Sequence, residues 1–172
     1  MTAELEWDHA VEDIGDAGIT AEREASVAEC EAVARALELI ACGRLAARYT
    51  ITPRGDGRYR LSGALQAEVT QTCVVSLEPV VNTVEESFAA DFWPEEDLPE
   101  PSGGELDIED EVEPEPIVNG VIPAGRIVFE CLAAALDPFP RKPGATLDWQ
   151  APPAPAGGES PFAVLARIKE KK

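Results

Sequence analysis

Arg58-Tyr59-Arg60-Leu61-Ser62-Gly63-Ala64-Leu65-Gln66-Ala67-Glu68-Val69-Thr70-Gln71-Thr72-Cys73 alternates apolar and polar residues almost without a break. Its odd positions Tyr59, Leu61, Leu65, Ala67, Val69 and Cys73 are mostly apolar and its even positions mostly polar, the two-residue period of a half-buried strand. After Val74-Val75-Ser76-Leu77-Glu78-Pro79 the parity switches, so that Val80, Val84, Phe88, Ala90 and Phe92 share one face. Two such runs joined by a short connection read as paired antiparallel strands with one dry and one wet face.

Upstream, Leu45, Ala47, Tyr49 and Ile51 alternate with Arg48, Thr50 and Thr52, which predicts another strand. Pro53-Arg54-Gly55-Asp56-Gly57 is a turn, because proline fixes one dihedral and glycine permits positive ones. Before it, Ser26-Val27-Ala28-Glu29 has the spacing of a capping box and opens a predicted helix running to about Cys42, with Gly43 placed to end it. Val27, Cys30, Val33, Ala34, Leu37, Ile40 and Ala41 fall on one arc of that helix. The expectation is an α+β fold, an antiparallel β-meander of three strands covered by helices. The open edges of such a meander must be covered by something.

Composition changes at Pro94. Residues 94–119 carry five prolines and eleven acids and no base, too little apolar surface to offset ordering entropy, so a long acidic mobile loop is expected there. Asn119-Gly120 is a turn signal between Ile117-Val118 and Val121-Ile122. Gly125 to Leu136 is apolar nearly all round, with Arg126 and Glu130 one turn apart, and predicts a second, more deeply buried helix. Pro138, Pro140 and Pro143 then force an extended arm around Phe139, Arg141 and Lys142. Residues 151–158 form a proline- and glycine-rich spacer before a short basic terminal helix beginning at Ser160-Pro161.

The chain has 172 residues and a net charge of -19, suited to one domain spanning 1–172. Such an acidic chain gains no counterion release on a phosphate backbone, which disfavours unassisted, non-specific nucleic-acid binding and favours a basic protein partner. The N-terminus has no basic head followed by an apolar run, and the longest apolar stretch, Ile127 to Leu136, is about half of the ~18 residues that span a bilayer. A cytoplasmic protein with reduced thiols and no membrane association is expected. Cys30, Cys42, Cys73 and Cys131 are widely separated and form no close pair in sequence, so no metal, cofactor or redox motif is expected. His9, the single histidine, lies in an acidic N-terminal stretch expected to be mobile.

Gly63-Ala64-Leu65-Gln66-Ala67, with Gln71-Thr72-Cys73-Val74-Val75-Ser76-Leu77-Glu78-Pro79-Val80, resembles the core of the YceD family, bacterial and plastid proteins linked to accumulation of 23S ribosomal RNA. Ala135-Leu136-Asp137-Pro138-Phe139-Pro140-Arg141-Lys142-Pro143-Gly144 and Ser160-Pro161-Phe162-Ala163-Val164-Leu165-Ala166-Arg167-Ile168-Lys169 fit the same family, so the resemblance spans most of the chain. It implies a single YceD-like domain acting as a non-enzymatic factor in large-subunit biogenesis. Its partner would be a pre-ribosomal particle or a basic ribosomal protein, with rRNA contact open and no small-molecule substrate. Many members carry Cys-x-x-Cys before Leu-Glu-Pro where this chain has Cys73 and Ser76, a departure that counts against a thiol-pair or metal role.

The candidate partner contacts are Phe139, Arg141 and Lys142 on the arm, Arg58 and Arg60 on one strand face, and Gln71 and Glu78 flanking the Cys73 turn. Each has a structural competitor: prolines alone explain the extended arm, the arginines can pair with local carboxylates, and Cys73 can be a small buried hydrophobe. Two other functions stay open. One is an acidic chaperone or inhibitor that shields a basic protein through residues 94–119. The other is a small cysteine-dependent enzyme using Cys73, for which the chain offers no matched base and no phosphate loop.

Overall fold

A computed structural model describes residues 5–98 and 113–147. The described chain is α+β, with strands β1 (Asp8–Ala10) and β2 (Ile19–Glu24), helix α1 (Val27–Ala36), and long strands β3 (Ala41–Gly55), β4 (Arg58–Thr72) and β5 (Pro79–Pro94). Short strands β6 (Glu115–Ile117) and β7 (Val121–Pro123) then lead into helix α2 (Ala124–Ala135). The predicted terminal helix, the 151–158 spacer and most of the acidic loop fall outside the described residues.

The alternation seen in sequence becomes the two faces of the sheet. Leu45, Ala47, Tyr49 and Ile51 of β3, Leu61, Leu65, Ala67 and Val69 of β4, and Val84, Phe88 and Phe92 of β5 are buried together. Helix α1 packs over β3, and α2 over β5 and β4, on that same side. Asp56 and Gly57 both have positive φ and close the β3–β4 hairpin as a two-residue turn, the geometry that matches strand twist. Asn119 and Gly120 do the same between Val118 and Val121.

The three-strand meander is extended at both edges. The sheet has five strands in the order β2-β3-β4-β5-β6, and β6 runs parallel to β5, so the sheet is mixed rather than purely antiparallel. β2 covers the β3 edge along Ile19↔Ile51 to Glu24↔Ala46, which the sequence reading left unassigned. The acidic stretch is ordered at its described ends. Pro94 completes β5, Glu95–Asp97 form a short 3-10 turn, and Glu115–Ile117 pair with Phe92–Pro94.

Helix α1 starts as predicted. Ser26 Oγ accepts from the Glu29 amide at 3.3 Å and the Glu29 carboxylate accepts from the Ser26 amide at 2.7 Å. Its end is corrected: the helix stops at Ala36, not near Cys42. Glu38 takes a left-handed conformation and the Leu39 amide donates to Ala34 O at 2.9 Å, the long bond of a Schellman cap. The helical stripe is cut short because Ala41 and Cys42 pair with Thr70 and Val69 of β4. A bulge at Gly43 then brings Leu45 onto the inner face.

His9 is likewise not on a mobile end. It lies in β1, paired with Ile122 of β7, and its Nε2 is 2.9 Å from the buried Tyr49 hydroxyl. Burial pushes the imidazole below its ordinary value, helped by the positive charge of Arg23 and opposed by Asp8. A histidine whose folded pKa is depressed binds fewer protons folded than unfolded, so its contribution is complete above about 6.5 and is lost as pH falls below that. Urea midpoints are expected to decline on acidification from about pH 6.5, and His9→Gln is expected to flatten that part of the profile. An unchanged profile in His9→Gln would remove His9 as its source.

Candidate functional site

The β4–β5 connection is a compact turn built around one sulfur. The Cys73 amide donates to Glu78 O at 2.8 Å and the Leu77 amide to Cys73 O at 3.0 Å, with Leu77 in the left-handed region. The turn folds back so that the amides of Val75 and Ser76 point at Cys73 Sγ, at 3.4 and 3.3 Å. A third amide comes from far along the chain, that of Lys142 at 3.3 Å.

The proline arm is what supplies it. After α2 the chain runs back across the tip of the β4–β5 hairpin. Pro140 is buried there and its carbonyl accepts from the Val74 amide at 2.9 Å. Gln71 Nε2 donates to Asp137 O at 2.9 Å, while Gln71 Oε1 accepts from Asn82 Nδ2 at 3.1 Å. Lys142 Nζ reaches Glu78 Oε2 at 3.0 Å. Gln71, Glu78 and Lys142, separate candidates in the sequence, therefore meet in one clasp. Lys142 is engaged within the molecule, whereas Phe139 (68% exposed) and Arg141 face outward.

Cys73 is wholly covered (0% exposed), yet it sits apart from the main cluster of buried side chains. The turn and the arm drape over it as a thin layer. Its thiol is held well down, at about 6, first by the Lys142 amide and then by the Ser76 hydroxyl and amide and the Val75 amide, against a small opposing effect of burial. In sequence Cys73 fits a small buried hydrophobe as well as a nucleophile. It is buried, but its surroundings are amide dipoles that favour a thiolate. That signal was invisible in sequence because one of the three donors lies 69 residues away.

Around this clasp the tip presents apolar side chains to solvent. Leu77 is 76% exposed and Val74 45%, and both flank the same turn that carries the arm with Phe139. Leu77 and Val74 were missed as candidates. Their position at a turn between two strands, inside an otherwise polar connection, was the available sign.

Arg58 and Arg60 are not part of the tip. Arg58 stacks 4.0 Å over the Trp93 ring and pairs with Asp97 at 3.2 Å, and Arg60 pairs with Asp91 at 2.9 Å across the β4–β5 ladder. These half-exposed pairs pin the start of the acidic stretch and hold the strands in register. The wet face of the sheet carries an open groove of about 590 Å³ floored by Ala46 and Ala64. Its polar walls already satisfy one another: Arg44 binds Glu24 and Gln66, and Gln66 binds Glu85.

Two cysteines that look unrelated in sequence are neighbours in space. Cys30 of α1 and Cys42 of β3 line one cleft, with Cys30 Sγ 3.9 Å from Ala25 O and Cys42 Sγ 3.7 Å from Arg44 O. The reading that no cysteines form a close pair holds only along the chain. Among the described residues, no three His, Cys, Asp or Glu side chains converge as metal ligands, and no helix is long and apolar enough to cross a membrane. No family model, curated protein or solved structure matches this chain.

Proposed function

We propose that this protein is a non-enzymatic factor supporting 23S rRNA accumulation and large ribosomal subunit biogenesis. It would work by docking the β4–β5 tip and its arm on a pre-ribosomal particle or a basic ribosomal protein. The reading starts from the resemblance of residues 63–80 and 135–144 to the YceD family. The observation that carries it is that these two stretches converge: Gln71 binds Asp137 O 66 residues away, and Lys142 binds Glu78. A motif whose halves assemble one rigid tip, with Val74, Leu77 and Phe139 bare at its surface, has the anatomy of a contact surface, with apolar anchors ringed by polar groups. The net charge of -19 suits a basic partner.

The covered position of Cys73 and the engagement of His9 with Tyr49 favour this reading over a cysteine-dependent enzyme. A shielding role for residues 94–119 rests on a segment largely outside the described residues.

Cells lacking the gene are expected to show reduced mature large-subunit rRNA with precursor build-up, and a normal rRNA and subunit profile would overturn the proposal. Complementation with Leu77→Asp/Phe139→Asp, which alters only exposed positions and is expected to change stability by about 0.5 kcal/mol or less, should fail to restore the profile. Full rescue by that variant would move the contact surface away from the tip.

A further inference from the structure

We propose that Cys30 and Cys42 form an oxidisable dithiol, in which a hydroperoxide converts the pair into a disulfide that staples helix α1 to strand β3. Cys30 lies in the second turn of α1 and Cys42 near the start of β3, and the chain between them reverses direction through the left-handed Glu38. That reversal brings two thiols twelve positions apart to the walls of one cleft.

Both residues are nearly but not fully covered, Cys30 7% and Cys42 9% exposed. They line a half-open cleft of about 500 Å³ whose other walls include Val27, Ala34, Ile40 and Gly43. A small oxidant can enter there. The sulfurs make only long contacts, Cys30 Sγ to Ala25 O at 3.9 Å and Cys42 Sγ to Arg44 O at 3.7 Å, which give way readily. Cys42 also adjoins the bulge between Cys42 and Arg44, where the ladder is interrupted and the backbone can adjust to disulfide geometry. At Gly43 the nearest obstacle is the carboxylate end of Glu68, a flexible group.

The chemistry assigns an order to the two sulfurs. Burial, followed by the charge and hydrogen bond of Cys30, pushes the Cys42 thiol up to about 12, which makes Cys42 the poorer first nucleophile and leaves the attack to Cys30. The Cys30 sulfur attacks one oxygen of the hydroperoxide, the O–O bond breaks, and an alcohol leaves with the thiol proton, giving a sulfenic acid. The Cys42 sulfur then attacks the sulfenic sulfur, the S–S bond forms, and the hydroxyl leaves with the Cys42 proton as water. Two electrons pass from the sulfurs to the peroxide oxygen. Cys73, covered by the arm, and Cys131, on α2, take no part.

The test treats the full-length protein with one equivalent of tert-butyl hydroperoxide. Free thiols counted after denaturation are expected to fall from four to two. A tryptic digest, cut at Arg35 between the two cysteines, should yield their peptides linked by a disulfide. Closing this loop should raise Tm by about 5 °C, reversibly with dithiothreitol. Cys30→Ser should lose both the link and the shift. Phenylarsine oxide, which bridges two close sulfurs, should bind native protein one to one and protect the same pair. The proposal is overturned if Cys30 and Cys42 stay reduced while Cys73 or Cys131 is oxidised. A link joining other cysteines, or absence of arsenical binding to the native protein, overturns it equally.

Discussion

Replacing Gly63 with valine is expected to destabilise the protein by about 3 kcal/mol or more, lowering Tm by roughly 6 to 12 °C. Gly63 lies on the inner side of β4, opposite Tyr49 of β3 and Phe88 of β5. Those two rings approach across it, with centroids 6.4 Å apart, and fill the space a side chain would need. A Cβ added at Gly63 would press on Arg48 O and lie 2.5 Å from Tyr49 Cβ and 2.7 Å from Tyr49 Cα. Main-chain and Cβ atoms of a central strand cannot swing aside, so relief requires separating β3 from β4. Intrinsic preference argues the opposite sign, because valine favours strands and glycine weakens them. Gly15→Ala is the matched control. An added Cβ there meets nothing within 4 Å, and a change of about 0.5 kcal/mol or less is expected. Thermal and urea denaturation followed by circular dichroism decide the matter, and a Gly63→Val variant as stable as the parent would refute this account of the core.

The thiol at the tip should betray its cradle by its titration. Alkylation of Cys73 by iodoacetamide, followed by mass spectrometry of its peptide, is expected to inflect near pH 6 rather than near the ordinary thiol value of about 8.5. The absolute rate should be slow, since the turn and the Pro140–Lys142 segment must lift before the sulfur is reached. Gln71→Ala removes the bond to Asp137 O, a tie between β4 and the arm, together with the β4–β5 bond to Asn82 that orients the Gln71 amide. A net hydrogen bond contributes about 0.5 to 1.5 kcal/mol, so each tie lost should raise the opening population, and with it the alkylation rate, roughly two- to tenfold. The pH dependence of stability has a fixed sign. The folded thiol has a lower pKa than the unfolded one, so its contribution is complete above about pH 9, shrinks as pH falls, and is gone below about 6. An inflection near 8.5, unchanged in rate by Gln71→Ala, would show that neither cradle nor arm controls this sulfur.

Much of the framework was legible because it is local. Alternation of Leu61, Leu65, Ala67 and Val69 sets which face of β4 is dry, since consecutive side chains of a strand must point to opposite sides. The Ser26–Glu29 capping box, the Asp56–Gly57 and Asn119–Gly120 turns and the Arg126–Glu130 pair likewise depend only on residues a few positions apart. These elements reappear in the structure where the sequence put them, to within their ends.

What failed in the reading depends on partners distant along the chain. Helix α1 carries an apolar stripe that could continue to Cys42, but backbone pairing of Ala41 and Cys42 with β4 takes those residues for the sheet. Strand β6 is three residues inside an acidic stretch, held by parallel pairing with Phe92–Pro94 and by Glu115 reaching Arg126. Of the candidate contacts, Gln71, Glu78 and Lys142 proved to bind one another's segments, and Arg58 and Arg60 to bind acids of the neighbouring strand and turn. By itself the sequence determined the three long strands, their buried faces, the hairpin turns and the start of each helix, because propensity, capping and periodicity act over a few residues. Only the tertiary structure decided that Cys73 is cradled by the arm, that Cys30 and Cys42 share a cleft and that His9 meets Tyr49, because backbone amides and well-separated side chains carry no pattern that names their partner until the sheet has closed.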